Sequence, residues 1–110
     1  MINRVSLVRR LPGLSQDEFV AHWSGPHVEI VRNMPGVRGL RLGVVSSWTP
    51  EEGASDVVGE IWFDDRDAAE RAFATEPLAS DLAADRKLFL GSAQGAFVEE
   101  LTIVPPPAGR

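Results

Sequence analysis

Residues Leu14 to Gly36 read LSQDEFVAHWSGPHVEIVRNMPG, and the helix they encode decides the fold. Ser15 is a favourable N-cap. Glu18, three residues on, completes a capping box in which each side chain accepts the other residue's backbone N–H. Leu14 and Phe19 occupy N′ and N4, the positions of a hydrophobic staple. Helical spacing runs to Trp23, with Phe19 one turn before it on the same side. Gly25-Pro26 then interrupts. Proline is tolerated at the first helical position, so the sequence predicts a second piece restarted at Pro26. In that piece His27, Ile30, Val31 and Met34 follow i, i+3, i+4 and i+7, which puts His27 on the apolar, inward stripe. Pro35-Gly36 ends the element.

Working outward, Arg4–Arg10 is rich enough in apolar and β-branched residues for a first strand, and Pro12-Gly13 turns the chain into the helix. Val37–Trp48 predicts a second strand with Leu40, Leu42 and Val44 on one face and Arg41, Gly43 and Val45 on the other. After the turn-rich TPEEGASD, Val57–Phe63 (VVGEIWF) is apolar on both faces apart from Glu60, which predicts a strand covered on both sides. Asp64 or Asp65 caps a second helix with Ala69, Ala72 and Phe73 inward. Pro77 opens a short further turn carrying Leu78 and Leu82, and Phe97–Val104 supplies the last strand.

The order is β-α-β-β-α-β. That predicts an α+β, ferredoxin-like sandwich, a four-stranded antiparallel sheet with helices on one face. Residues 1–104 form a single domain and 105–110 a proline-rich C-terminal tail, since consecutive prolines cannot donate to a ladder. Apolar residues on both sheet faces call for a second cover, and another copy of the sheet supplies it. We expect a homodimer closing into a dimeric α/β barrel.

Composition narrows the function. The 110 residues include no cysteine, which removes disulfides, thiolate metal sites and a cysteine nucleophile. Residues 1–48 carry six basic against three acidic side chains (+3) and residues 49–110 five against thirteen (−8), giving the net −5. An acidic chain without a basic face is a poor nucleic-acid binder, and VVGEIWF lacks the basic-aromatic signature of an RNA-binding strand. No window is apolar enough for a membrane span and MINRVSLVRR lacks a signal-peptide core, so a cytoplasmic location is expected.

The segment LPGLSQDEFVAHWSGPHVEIV followed by MPGVRGLRL (Leu11–Val31 and Met34–Leu42) resembles the EthD family of dimeric α/β-barrel proteins, through Pro12, Gly13, Leu14, Ser15, Phe19, His22-Trp23 and His27. GEIWFDDRDAAERAF (Gly59–Phe73) is similar to the strand that leads into the family's second helix. The resemblance implies a fold shared with antibiotic-biosynthesis monooxygenases and muconolactone isomerases. It also implies a company that includes a methylmuconolactone isomerase, polyketide-tailoring enzymes and a protein of ether degradation. His22 stands where a tyrosine is common in the family, and this chain has no tyrosine.

His27 is the candidate catalytic residue. At the start of a restarted helix it would feel the positive end of the dipole and stay neutral, able to take a proton from an activated C–H. The competing reading is a core histidine satisfied by a backbone carbonyl. His22 lies five residues away, about 140° round an ideal helix, so the two do not form a metal-binding pair, and no metal is expected. His22, Trp23, Glu60 and Trp62 are the candidate substrate-binding residues. For Glu60 the alternative is a structural pair with Arg41, and for the tryptophans, Trp48 included, plain packing. Two functions follow. One is a cofactor-independent isomerase, cyclase or lyase acting on a small hydrophobic or aromatic compound. The other is a non-catalytic binder or accessory dimer for an oxidative catabolic enzyme. Haem binding or cofactorless oxygenation is a third option, borrowed from fold relatives.

Overall fold

The apolar and β-branched residues at the start of the chain form β1 (Ile2–Arg10), the strand around which the sheet is assembled. In the computed structural model, which describes residues 1–46 and 55–107, β1 lies between β3 (Val57–Phe63) and β4 (Leu90–Glu99). The strand β2 (Gly39–Val44) flanks β3 on its far side, giving the order β2-β3-β1-β4 with every pairing antiparallel. Helices α1 (Gln16–His22), α2 (Val28–Val31), α3 (Arg66–Ala74) and α4 (Leu78–Phe89) complete an α+β ferredoxin-like fold. No helix among the described residues is long and apolar enough to cross a membrane.

Register decides what each face carries. Because side chains alternate along a strand, Ile2, Arg4, Ser6 and Val8 share a face with their partners Phe63, Ile61, Gly59 and Val57. That face is the one the helices cover. Its apolar residues fall into two clusters, one around Ile2, Val31, Met34, Phe63 and Leu82, the other around Val8, Phe19, Trp23, Val57 and Phe89. The opposite face carries Asn3, Val5, Leu7, Val58, Glu60, Trp62 and Val98.

The entry to the first helix is as the sequence predicts. Ser15 Oγ accepts the Glu18 N–H at 3.1 Å, Glu18 Oε1 accepts the Ser15 N–H at 2.9 Å, and Leu14 packs on the cluster that holds Phe19. Such a cap contributes about 1 kcal/mol. Gly13 and Gly36 bracket the helical segment with positive φ of 97° and 81°, a conformation costly for any residue with a Cβ. Helix α3 is capped by Asp65, whose carboxylate accepts the Ala68 N–H at 2.7 Å.

Four expectations about the elements are corrected. Pro26 does not restart the helix: it sits inside a π-helical turn, Trp23–His27, continuous with α1 and α2. In a regular α-helix its ring would press on the carbonyl four residues back and leave that carbonyl without a donor. The turn widens instead, so that the Val28 N–H reaches Trp23 O, five residues back. The short turn expected after Pro77 is a twelve-residue helix, α4, with Leu82, Asp85 and Phe89 buried. The last strand begins at Leu90 and ends at Glu99, leaving Leu101, Ile103 and Val104 exposed beyond the sheet. The second strand is also shorter than Val37–Trp48, and Trp48 lies outside the described residues.

Candidate functional site

The two core clusters do not meet completely, and the gap between them is a cavity of about 280 Å³ between sheet and helices. An apolar cavity of about 150 Å³ already admits benzene, so this one has room for a ring bearing substituents. Ile61 and Leu40 contribute apolar wall from the sheet and Val31 from the helices, while Arg4, His27 and Arg86 bring polar groups to it. Trp23 forms part of the wall against Gly59. A Cβ on Gly59 would come within 3.0 Å of the indole, so the absence of a side chain there lets the ring lie on the strand.

The π-turn fixes the geometry of the histidines. Five residues of a helix that closes i to i+5 complete about one turn, so His22 and His27 share a face rather than diverging. Both reach Asp85 on α4. His22 Nε2 is 2.7 Å from Oδ1, and His27 Nδ1 is 3.3 Å from Oδ2. A carboxylate only accepts, so both of those nitrogens carry hydrogen. Nε2 of His27 is then the nitrogen with a lone pair, and it makes no hydrogen bond among the described residues. The imidazole itself is packed between Trp23 and Phe89, at ring-centroid distances of 4.6 and 5.2 Å. Phe89 also contacts His22 and Phe19, at 4.4 and 5.5 Å.

Electrostatics hold His27 neutral, by a cause different from the one the sequence suggested. His27 is mid-helix, so no free helix N-terminus acts on it. Burial is the largest effect and pushes its pKa below the ordinary 6.5; the hydrogen bond and charge of Asp85 pull the other way without overcoming it.

The structure divides the candidate residues. His27 and Trp23 line the cavity. His22 stands behind Asp85, half-buried, as a partner of the carboxylate. Glu60 belongs to the cavity wall through β3, but its carboxylate lies on the opposite sheet face. There it accepts from Arg41 Nε at 2.8 Å and from Asn3 Nδ2 at 3.3 Å. Trp62 is on that face too, beneath the Arg41 guanidinium at 5.2 Å and donating through Nε1 to Glu100. Asp85, Phe89, Arg4 and Arg86 were not among the sequence candidates. Only Asp85 left a trace there: an acid at i+7 from Leu78, on the stripe shared with Leu82 and Phe89.

Residues 11–93 match the family described as EthD domain. An uncharacterised 11.0 kDa protein in the thcB-thcC intergenic region of Rhodococcus erythropolis is 28% identical over 103 residues, covering 93% of this chain and 98% of that one. Among solved structures, an ethyl tert-butyl ether d (ethd) family protein from Bacillus halodurans superposes with a TM-score of 0.76 at 20% identity, over 92% of this chain and 99% of its own. A protein from Bacteroides fragilis, described as dimeric and of ferredoxin-like fold, does so with a TM-score of 0.64 at 14% identity, over 90% and 95%.

Proposed function

The chain belongs to the EthD family, and from that premise we propose that it binds a small hydrophobic or aromatic metabolite beside Trp23 and moves a proton on it with His27. The reaction class is a cofactor-independent isomerisation, cyclisation or elimination. One observation carries the reading. His27 is a neutral imidazole at the cavity whose Nδ1–H is held by Asp85, which leaves the Nε2 lone pair for chemistry.

Nε2 takes a proton from a carbon next to a carbonyl, and the electron pair of the broken C–H bond moves into the enolate. Asp85, accepting from Nδ1, steadies the imidazolium that forms. Return of the same proton to a different carbon completes an isomerisation, while loss of a leaving group from the enolate completes an elimination. The indole of Trp23 offers a flat apolar surface along which a ring can lie.

The test is solvent-deuterium uptake into a panel of enolisable lactones and cyclic ketones, with wild type and His27→Gln compared. We expect the variant to lose about 10²–10⁴-fold in rate. The acid limb of the wild-type kcat/KM profile should have its midpoint below 6.5, as burial of His27 requires. Equal rates would sink His27 as the base, and a wild type that binds ligand without exceeding the uncatalysed exchange would leave a non-catalytic binder in place of an enzyme.

Assembly belongs to the same proposal. The sheet face away from the helices carries Leu7, 43% exposed, and Val98, 38% exposed, beside Val5 and Val58. Asn3 Oδ1, a buried acceptor without a partner among the described residues, is on this face as well. We take it to be covered by a second copy; the Bacteroides fragilis protein of similar fold is described as dimeric. Sedimentation equilibrium should return twice the 12.0 kDa of the chain, and Leu7→Arg should return the monomer. A wild-type monomer at micromolar concentration would sink the idea.

A further inference from the structure

Eleven basic side chains face sixteen acidic ones in this chain, and among the described residues five of the ten arginines use that excess. Arg10 pairs with Asp56, Arg32 with Glu29, Arg38 with Asp64, Arg41 with Glu60 and Arg66 with Glu70. Arg4, Arg9, Arg71 and Arg86 do not, among the described residues, and of these Arg4 and Arg86 line the cavity beside His27. The nearest acid in sequence to Arg86 is Asp85, whose two oxygens are committed to His22 and His27.

Both guanidiniums are placed by their surroundings. Arg4 rises from β1 and lies across Gly95 of β4. A Cβ at Gly95 would sit 2.0 Å from Nη1, so only glycine leaves that site open. The same guanidinium stands over the Phe97 ring, 5.4 Å from its centroid. Arg86 extends from α4. The residue as a whole is exposed, but its guanidinium is withdrawn from solvent enough that desolvation, and then the charge of Arg4, push its pKa down. Two like charges that repel each other beside a partly apolar cavity are stabilised by an anion placed between them. Planar guanidiniums match a carboxylate, which each can grip through two N–H donors.

We infer that Arg4 and Arg86 form an anion subsite at one end of the cavity, taking the carboxylate of a ligand whose ring lies towards Trp23 and His27. The substrate class is accordingly a small aromatic or alicyclic monocarboxylic acid rather than a neutral compound. This rests on the cavity being the ligand site, as proposed above.

The experiment measures binding of benzoate and of its neutral methyl ester by calorimetry, with wild type, Arg86→Gln, Arg4→Gln and the surface control Arg71→Gln. In wild type and the control, benzoate should bind about tenfold or more tighter than the ester, the scale of a charge-assisted pair. In Arg86→Gln that preference should vanish while the ester's affinity is unchanged. Arg4→Lys, which keeps the charge, should hold part of the preference if Arg4→Gln fails to fold. Equal binding of acid and ester by wild type, or a preference that survives Arg86→Gln, overturns the subsite and leaves the cavity reading intact. Inorganic phosphate displacing benzoate at equal or lower concentration overturns the assignment to a carboxylate. Binding of neither probe at millimolar concentration overturns the cavity reading and this inference with it.

Discussion

Phe89→Ala should destabilise the protein by about 3–5 kcal/mol, the range for removing a buried phenylalanine and leaving its cavity. Phe89 is fully buried and meets Phe19, His22, Trp23 and His27, with ring centroids 4.4–5.7 Å away. Rings that collapse into the space must give up their packing on one another, Phe19 on Trp23 at 5.9 Å and Trp23 on His27 at 4.6 Å. Against a total stability of about 5–15 kcal/mol for a domain of this kind, the loss is about a fifth or more. Urea unfolding at matched protein concentration should show a lower midpoint at unchanged slope, because the surface exposed on unfolding barely changes. Matching concentration matters because, for the dimer proposed above, stability depends on it. Phe89→Leu, which refills most of the volume, should recover the larger part. A loss below about 1.5 kcal/mol for the alanine variant, the scale of a tolerated volume-conserving swap, would mean that Phe89 is not the centre of the cluster. Function should follow stability here, since the ring that locates the His27 imidazole is the one removed.

What the sequence discloses depends on how local the cause is. The Ser15–Glu18 box, the Asp65 cap and the strand Val57–Phe63 each follow from a few adjacent residues, and each is found in place. The strand Leu90–Glu99 is hidden because its residues serve their neighbours rather than their own propensity. Gly91 must clear the Arg10 carbonyl, which a Cβ would approach to 2.3 Å, and Gly95 must clear the Arg4 guanidinium. The small residues that result carry little strand signal. The helix Leu78–Phe89 is hidden for a related reason. Asp85 interrupts its apolar stripe and reads as a solvated position, until the two histidines from another helix are brought against it. His27 and Trp23 could be located at the site from local spacing. The groups that hold the His27 imidazole, Asp85 and Phe89, come from α4, more than fifty residues away, and no local pattern announces them. The π-turn joins the two levels. Proline and glycine mark its place in the sequence, but its effect is to turn His22 and His27 onto one carboxylate, which requires knowing that the helix bends its rules rather than breaks.

Asp85→Asn should cost about 10²–10⁴-fold in proton-transfer rate with little change in fold, because it changes which nitrogen of His27 holds the proton. The wild-type carboxylate accepts from both rings; an amide of the same shape accepts through its oxygen and donates through its nitrogen. The shorter contact, 2.7 Å to His22 Nε2, favours keeping the oxygen there. The amide N–H₂ then faces His27 Nδ1, which must accept, so the ring proton moves to Nε2. The lone pair that would take the substrate proton is gone. The charge effect is separable from this. Asp85 is the principal influence raising the His27 pKa against burial, so its loss should carry that pKa further below 6.5. The chain has two histidines, and proton NMR of their Cε1–H resonances follows both titrations without any substrate. A folded pKa below the unfolded 6.5 means that the unfolded chain takes up the proton first as pH falls. Stability is therefore complete above 6.5 and declines from there down to the folded pKa, with no further loss below it. In Asp85→Asn that window widens at its acidic end and the total loss grows. A His27 midpoint that stays put or rises in the variant would show that the carboxylate does not govern this ring.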